Sequence, residues 1–418
     1  MRMLNDSNTN WLGNIPAEWS IGRIGQLYSE RRVKVSDTEY MPLSVTMKGV
    51  VPQLSTAAKT DAHDDRKLVR KGDFAINSRS DRRGSCGISE YDGSVSLINT
   101  ILAPRKSMSP RYYNWLFHTS EFAAEFYKWG HGIVDDLWTT NWNDMKRILV
   151  PVPSLLEQER IADFVDRKCA DIDNILEKTR ASIEEYRKLK QSVITEAVTK
   201  GIRGERPMKD SGIEWIGEIP EEWTVIKFGY CAHIKSNLVD PSLYPDYPQI
   251  APDVIGKGNA KIEGEITSVK ESGIISWNHL FSKGQIIYSK IRPLLNKLII
   301  APFDGLCSAD MYPIESDLDI SFTKYMMLSS YFLEQVKQVT EDRVKMPKVN
   351  QEELSAFKVV IPPCKSEQVA IASYLDQKCS EIDSLIASKE KFITELELYK
   401  KSLIYEYVTG KKEVPSNA

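Results

Sequence analysis

The chain has 418 residues, which predicts two to four domains at roughly 100–200 residues per domain. Hydrophobic residues make up 42% and charged residues 27%, a balance that excludes a largely disordered or collagen-like chain, and no apolar run is long enough to predict a transmembrane helix. The net charge is −3 without a strongly basic segment, so any surface for nucleic acid must be local.

The N-terminus is polar and lacks the apolar segment of a secretory signal. Six cysteines stand far apart without a C-x-x-C pair, which argues against a zinc ribbon and a disulfide framework. These features predict a reduced, cytoplasmic protein.

The chain contains a direct repeat. Trp11-Leu-Gly-Asn-Ile-Pro-Ala-Glu-Trp19 recurs as Trp215-Ile-Gly-Glu-Ile-Pro-Glu-Glu-Trp223. Gly72 before Asp92-Gly93 recurs as Gly284 before Asp304-Gly305 with the same spacing. Because the order is kept over offsets of 204 to 212 residues, the sequence predicts one duplicated unit rather than a solenoid.

Each unit divides into a globular half and a helical half. The globular halves mix short strand-like runs (284–288 and 297–301) with helical stretches (110–126 and 321–336), which predicts an α+β fold. The predicted order is a globular domain at 1–150, a helix at 151–204, a second globular domain at 205–360 and a second helix at 361–418.

The two helical segments carry apolar stripes at three- and four-residue steps, and Gly201 and Gly410 read as C-terminal stops. One alternative is that each helix packs on its own domain. The repeat favours pairing of the two helices as an antiparallel coiled coil with pseudo-twofold symmetry. The predicted pairing residues are Ile161, Val165, Ile172, Leu176, Ile183, Ile371, Leu375, Ile382, Ile386 and Ile393.

The sequence lacks the motifs of common catalytic sites. It contains no P-loop, no H-E-x-x-H, no G-x-S-x-G, and its five histidines do not pair at metal-binding spacing. We therefore predict a non-catalytic protein without a metal. A weak alternative is a degenerate nuclease that uses Asp253 with Glu263 or Glu265.

Two cationic segments occupy equivalent places in the two copies, between the first glycine and the Asp-Gly pair. Their mix of Arg, Lys, Asn and Ser suits base and phosphate contacts in a DNA groove, and it equally suits a solvated turn. The candidate DNA-binding residues are Asn77, Ser78, Arg79, Arg82, Arg83, Lys290, Arg292, Asn296 and Lys297.

A second, weaker cluster comprises Lys345, Lys348 and Asn350, with 138–141 as its counterpart in copy one. The tryptophans of the repeated opening could stack on bases, but we expect them to pack on the core where each domain begins.

These motifs together resemble those of the DNA-specificity subunit of type I restriction–modification enzymes. The resemblance rests on the two Trp-x-Gly-x-Ile-Pro-x-x-Trp openings, on Glu157-Gln158-x-x-Ile161-Ala162 and its copy at 367–372, and on the helix endings at 197–201 and 407–410. It covers nearly the whole chain.

The resemblance implies that each globular domain is a target recognition domain and that the helices form a spacer, so that the target is bipartite and asymmetric double-stranded DNA. It also implies two modification subunits that methylate adenine with S-adenosylmethionine, and two restriction subunits that use ATP and Mg²⁺, in a bacterial or archaeal cell. No cofactor is expected in this chain. The competing hypothesis is a protein-interaction scaffold whose coiled coil docks partners without base readout.

Overall fold

A computed structural model describes residues 2–53, 63–79, 82–105, 108–132, 138–343 and 347–415. The chain forms two compact units, one of Met1–Thr179 with Lys391–Ala418 and one of Arg180–Glu390. Each unit therefore combines one globular domain with part of each of two long helices.

The first globular domain is built from short strands and helices. Its described strands are β1 (Leu4–Asp6), β2 (Asn14–Pro16), β3 (Ser20–Arg23), β4 (Tyr28–Glu30), β5 (Lys34–Val35), β6 (Leu43–Thr46), β7 (Gly49–Pro52), β8 (Arg66–Val69), β9 (Phe74–Asn77), β10 (Cys86–Ile88), β11 (Gly93–Ser96), β12 (Asn99–Pro104) and β13 (Leu149–Val152). Its helices are α1 (Ile24–Leu27), α2 (Pro110–Phe117), α3 (Ser120–Lys128) and α4 (Trp142–Met145).

A long helix, α5 (Leu155–Lys200), follows, and then the second globular domain. Its strands are β14 (Met208–Asp210), β15 (Glu218–Pro220), β16 (Thr224–Lys227), β17 (Ala232–Ile234), β18 (Leu238–Val239), β19 (Pro248–Ile250), β20 (Thr267–Ser268), β21 (Asn278–Phe281), β22 (Ile286–Ser289), β23 (Leu298–Ile300), β24 (Gly305–Ser308), β25 (Met311–Ser316) and β26 (Lys358–Ile361). Its helices are α6 (Val269–Ser272), α7 (Ile320–Leu328), α8 (Ser330–Thr340) and α9 (Gln351–Ala356), and the second long helix is α10 (Lys365–Val408).

The strand orders of the two domains confirm the repeat. The main sheet runs β4-β12-β9-β10 in the first domain and β17-β25-β22-β23 in the second. A second sheet runs β5-β8-β11 in the first and contains β18-β21-β24 in the same order in the second. The pairs β1-β2 and β3-β13 correspond to β14-β15 and β16-β26. Both domains thus share one α+β topology.

The repeated Gly and Asp-Gly positions have a structural cause. Asp92 accepts a hydrogen bond from the Lys71 amide at 2.8 Å, and Asp304 accepts one from the Lys283 amide at 2.7 Å. The glycine after each aspartate, Gly93 or Gly305, begins a strand, and a neighbouring backbone packs closely against it. A Cβ at Gly93 would lie 2.5 Å from the Met41 carbonyl oxygen. Only glycine fits there.

Aromatic side chains fill the main core of the first domain. Tyr28, Phe74, Phe117 and Phe122 are essentially fully buried, and neighbouring rings meet at centroid distances such as 5.0 Å for Phe74 and Phe117. Burial of each such side chain contributes roughly 1.5–3 kcal/mol to stability. In the second domain, α7 and α8 supply the corresponding cluster with the sheet.

The two long helices begin a few residues inside the helical segments 151–204 and 361–418, at Leu155 and Lys365. Residues 149–152 and 358–361 are strands β13 and β26, so Pro151 belongs to a sheet rather than to the helix. Helix α5 has 46 residues and α10 has 44. Both end as predicted, because Gly201 and Gly410 take left-handed φ values of 79° and 72°.

The predicted helix pairing is confirmed within each unit. In the first unit, Phe164 stacks on Tyr407 with ring centroids 4.5 Å apart, and Asp173 binds Lys400 at 2.6 Å. Residue numbers rise along one helix as they fall along the other, so the segments are antiparallel. Their apolar seam contains Ile172, Leu176 and Leu403, with Ile393, Leu396 and Tyr407 beside it.

The second unit has the same arrangement. Lys190 binds Asp383 at 2.7 Å and Arg187 binds Glu390 at 3.1 Å, which again defines antiparallel segments. The Lys190–Asp383 pair is the repeat counterpart of the Lys400–Asp173 pair in the first unit, since Asp383 corresponds to Asp173 and Lys190 to Lys400. Ile183 and Ile382 are buried, and Ile386 is half-buried.

The stripe residues nearest the domains need a correction. Ile161 and Val165 lie in the main core of the first domain, and Ile371 and Leu375 lie in that of the second. Packing on the preceding domain and pairing with the other long helix therefore both occur along each helix. Its first turns pack on the preceding domain, because the chain leaves a sheet directly into the helix, and its later turns pair with the other helix.

A clamp of Arg, Trp and Glu joins each long helix to its domain. The Arg206 guanidinium lies 5.0 Å above the Trp223 ring and binds Glu367 at 2.8 Å. In the first domain, Arg2 lies 5.2 Å above Trp19 and binds Glu157. Trp11, Trp19 and Trp223 are buried, whereas Trp215 is 38% exposed. The first three tryptophans are therefore packing residues.

Among the described residues, no helix is both long and apolar enough to cross a membrane.

Candidate nucleic-acid interface

The two cationic segments occupy the same connection in both domains. Residues 78–85 join β9 to β10, and residues 290–297 join the equivalent strands β22 and β23. Asn77 and Ser85 close the first connection by a backbone hydrogen bond of 2.8 Å, and Ser289 and Lys297 close the second at 2.9 Å. Because β9 and β22 lie inside the main sheets, rigid strands hold each segment at a sheet end.

The structure brings the second cluster against the first in each domain. Arg79 forms an isolated antiparallel bridge with Thr139, and Ile291 forms the equivalent bridge with Lys348. The Thr140 amide donates to the Ser78 carbonyl at 3.0 Å, and the Val349 amide donates to the Lys290 carbonyl at 3.0 Å. In each domain, two stretches that are distant in sequence thus form one surface. We call this surface the paired segment of the domain. It comprises residues 78–79 and 82–85 with 138–141 in the first domain and residues 290–297 with 347–350 in the second.

The arginines of the first paired segment face solvent. Arg79, Arg82 and Arg83 are all exposed. The Arg83 guanidinium lies 5.3 Å above the ring of Tyr127, a cation–π contact that orients it. The backbone turns at Gly84, which has a φ of 75°. The described residues of this segment thus present three exposed arginines.

Arg292 is the exposed cation of the second paired segment. It makes no ion pair among the described residues, and its backbone is left-handed with a φ of 44° and a ψ of 51°. This conformation costs a non-glycine residue of order 1 kcal/mol and is often found at functional sites. The Arg292 amide donates to the Pro347 carbonyl at 2.9 Å, which holds the turn.

The two lysines beside Arg292 are partly engaged within the domain. Lys290 is half-buried with its ammonium 5.1 Å above the Tyr312 ring. Lys348 is exposed and binds Asp310 at 3.1 Å. Burial, together with Glu353 and Asp310, raises the pKa of Tyr312, so this ring stays neutral beneath the lysine. These cations are positioned rather than freely mobile.

Three predicted contact residues are buried, which corrects the expectation that they face DNA. Asn77 is 4% exposed, and its Oδ1 accepts from the Arg79 amide at 3.0 Å. Ser78 donates to the Ile98 carbonyl. Asn296 is 3% exposed and donates through Nδ2 to the Met327 carbonyl at 3.0 Å. Their side chains shape the turns, because a short polar side chain satisfies nearby backbone groups.

The remaining predicted residues also have internal partners or lie outside the described part of the chain. Lys297 donates to the Pro252 carbonyl at 2.6 Å. Asn350 is exposed but caps α9 by accepting from the Glu353 amide at 2.8 Å, as Asn141 caps α4. Lys345 lies outside the described residues. The exposed cations Arg79, Arg82, Arg83, Arg292 and Lys348 therefore carry the site.

Sequence reasoning missed the aromatic supports of these cations. Tyr127 and Tyr312 lie on other elements, α3 and β25, and meet Arg83 and Lys290 only in the folded domain. Sequence spacing contained no signal for them. It also missed the hairpin that follows Pro252, whose two arms meet at the bridge between Ile255 and Ile262.

The residues of the nuclease alternative do not form a metal site. Asp253 and Glu263 are exposed, and Glu263 accepts from the Asn259 amide nitrogen at 2.6 Å. Within the described ranges, no group of three or more His, Cys, Asp or Glu side chains is arranged to hold a metal ion.

The buried side chain of His279 should make the stability of the second domain depend on pH. It is 3% exposed, and burial, followed by the charge of Lys290, lowers its pKa below 6.5. The unfolded chain binds this proton more readily, so stability present above pH 6.5 should fall as the pH drops below that value. Hydrogen exchange of β21, the strand that carries His279, should therefore accelerate between pH 7.5 and 5.5 more in the wild type than in His279→Gln, after correction for intrinsic exchange. Equal acceleration in both proteins would contradict this assignment.

The fold and site define a class of protein: a duplicated α+β chain with paired helices and a cationic surface on each globular domain. Residues 220–398 match the family described as "Type I restriction modification DNA specificity domain". The "Type I restriction enzyme EcoDI specificity subunit" of Escherichia coli is 35% identical over 261 residues, which cover 58% of this chain and 57% of that protein. Over these residues the chain is similar to type I restriction–modification specificity subunits, and it spans less than two thirds of the length of this relative.

Other comparisons extend over the whole chain. The "Type I restriction enzyme MjaVIII specificity subunit" of Methanocaldococcus jannaschii is 24% identical, covering 96% of this chain and 94% of that one. A structure described as "Structural basis underlying complex assembly and conformational transition of the type I R-M system" has a TM-score of 0.73 at 14% identity, covering 95% of this chain and 99% of that chain. The HsdS subunit from Thermoanaerobacter tengcongensis has a TM-score of 0.50 at 16% identity, covering 95% and 98%. These likenesses support the shared fold.

Proposed function

We propose that this chain is the DNA-reading subunit of a type I restriction–modification system and recognises a bipartite, asymmetric target. Each domain would read one half-site with its paired segment. The two domains carry different residues at equivalent positions, Arg79 and Ile291 for example, so the half-sites should differ in sequence. The similarity of the chain to specificity subunits of type I restriction enzymes supports this assignment.

The observation that carries the proposal is the repetition of the paired segment. In both domains the same strand connection presents exposed arginines and is locked by the same cross-bridge to a second segment. Arginine reads guanine through bidentate hydrogen bonds, whereas lysine and backbone amides hold phosphates. A solvated turn has no need of such a cross-bridge in both copies.

The chain itself would not catalyse a reaction. It would direct two modification subunits, which supply S-adenosylmethionine for adenine methylation, and two restriction subunits, which use ATP and Mg²⁺. In the cytoplasm of a bacterial or archaeal cell, the helix pair would set the distance between the half-sites. Because the net charge is −3, we expect weak affinity of the isolated chain and phosphate contacts from the partners.

The competing function is a protein-interaction scaffold. Long paired helices are compatible with it, but docking alone gives no reason for exposed arginines on the same strand connection of both domains. Exchange of one globular domain separates the two functions. A DNA reader would acquire a new half-site, whereas a scaffold would keep its partners without any change in sequence preference.

Methylome sequencing tests the proposed function directly. Cells that contain this chain and its methyltransferase should carry a bipartite adenine-methylation motif, and deletion of this chain should abolish that motif. A point variant of an exposed residue outside the paired segments, Lys257→Met, serves as the control for expression. If deletion of this chain removed no methylation motif, although the chain forms a stable complex with the methyltransferase, the scaffold function would be favoured.

A further inference from the structure

A hairpin of the second domain lies between its paired segment and the long helices. Residues 254–264 turn back on themselves through a bridge between Ile255 and Ile262. Ile255 is 1% exposed and anchors the hairpin in a small core with Phe281 and Ile287. At the tip, Gly258 and Ala260 have left-handed φ values of 62° and 54°. The hairpin is therefore a compact and firmly rooted element.

One side of the hairpin holds the paired segment. The Gly258 amide donates to the Asn296 carbonyl at 3.2 Å, and the Lys297 ammonium donates to the Pro252 carbonyl at 2.6 Å. Asn296 itself has a left-handed φ of 45°, and its amide side chain is bonded to Met327. The hairpin thus fixes the C-terminal end of the turn that presents Arg292.

The other side of the hairpin binds the helix pair. The Lys261 ammonium donates to Oδ2 of Asp383 on α10 at 2.8 Å, while Lys190 of α5 donates to Oδ1 at 2.7 Å. Burial raises the pKa of Asp383, but the two lysines outweigh it and lower the pKa overall. Asp383 is therefore ionised at neutral pH and bridges three elements.

The equivalent aspartate of the first unit has a different environment. Asp173 binds Lys400 through both of its oxygens and remains 59% exposed, whereas Asp383 is 24% exposed. The added lysine is thus a feature of the second domain and not a general requirement of the helix pair. This difference indicates a role specific to the second domain.

We propose that the hairpin 254–264 is a positioning element that holds the second paired segment at a set distance from the helix pair, with Lys261 and Asp383 as its anchor. The inference rests on the proposed function, because a fixed distance matters only if the paired segment reads a half-site. Lys261 is then a determinant of gap specificity: it excludes targets whose half-sites are one base pair too close or too far apart.

The physical reason is geometric. One base pair added to the gap moves a half-site by 3.4 Å and rotates it by about a tenth of a turn. A paired segment free to shift on its domain could follow part of that displacement. A segment held at Asn296 and, through Lys261, at α10 cannot follow it without breaking these contacts.

The experiment uses the full chain with its methyltransferase and a set of duplexes that carry the natural half-sites with gaps changed by −1, 0 and +1 base pair. For Lys261→Met we expect methylation of the altered gaps to rise about 1.5- to 5-fold relative to the natural gap, the range for loss of a partly exposed charge pair. Lys261→Arg should restore discrimination. Lys257→Met also removes one positive charge from this hairpin. It should affect methylation equally at all three gaps, so the preference among gaps should stay unchanged.

Hydrogen exchange on the isolated full-length chain gives a readout that needs no DNA. In Lys261→Met, the Gly258 amide should exchange about threefold or more faster than in the wild type, because local opening becomes easier. Unchanged exchange, or an unchanged preference among gaps, would overturn the inference. If the wild-type enzyme selected no sequence at all, the proposed function would fail, while the exchange result would still decide whether the hairpin is held by Lys261.

Discussion

Glu367→Ala is expected to destabilise the second domain by about 3 kcal/mol, the low end of the cost of breaking a buried ion pair, because Arg206 keeps its contact with Glu222. Glu367 is 4% exposed and binds Arg206, whose guanidinium is 10% exposed and packs over Trp223. The same guanidinium donates to Glu222 and to the Lys200 carbonyl at the end of α5. Removal of Glu367 therefore loosens the joint between helix and domain.

Glu157→Ala in the first domain is the matched control. Glu157 and Arg2 are the counterparts of Glu367 and Arg206, but their side chains are 25% and 15% exposed. Water can solvate the arginine left behind, so we expect a loss of about 1–2 kcal/mol. Urea denaturation with hydrogen exchange as the domain-specific probe measures both. Equal losses in the two domains would show that burial does not determine the strength of the clamp.

Arg292→Ala is expected to weaken binding of the cognate target by about 1–3 kcal/mol and to relax the preference at one base pair of one half-site. The reason is its exposure on a turn held by Pro347 and Asn296, together with the absence of an ion pair among the described residues. Binding should be measured at fixed salt with a panel of single-base variants of the target. The other half-site should be read unchanged.

Arg292→Lys separates base readout from phosphate binding. Lysine keeps the charge but lacks the planar fork that pairs with guanine. If Arg292 reads a base, the lysine variant should bind with relaxed specificity, as the alanine variant does. Recovery of full affinity with unchanged specificity would identify a phosphate contact. Arg79→Ala provides the comparison in the first domain, where the altered base pair should fall in the other half-site.

Much of the architecture could be predicted from local patterns. The repeated motifs predicted two equivalent domains, and the shared strand order of their main sheets follows from them. Apolar stripes at three- and four-residue steps predicted the helices, and Gly201 and Gly410 predicted their ends. Such features depend on residues close in sequence, so they can be recognised without knowledge of the fold.

The candidate site was predicted less well. The sequence placed a cationic segment in each domain but could not tell side chains that face solvent from those that face inward. Asn77 and Asn296 resemble contact residues in composition, yet both satisfy backbone groups inside the domain. Local composition does not reveal which polar groups the fold leaves in need of a partner.

The sequence by itself determined the duplication, the α+β class, the two long helices and the position of the cationic segments, because each depends on periodicity and turn chemistry within a short stretch. Only the tertiary structure decided that Thr139 and Lys348 join these segments, that tyrosines orient Arg83 and Lys290, and that Lys261 reaches Asp383. Those contacts join residues as many as 122 positions apart. These contacts form because burial of apolar surface drives folding. The hydrophobic effect is not directional, so the sequence alone does not reveal which distant residues it brings together.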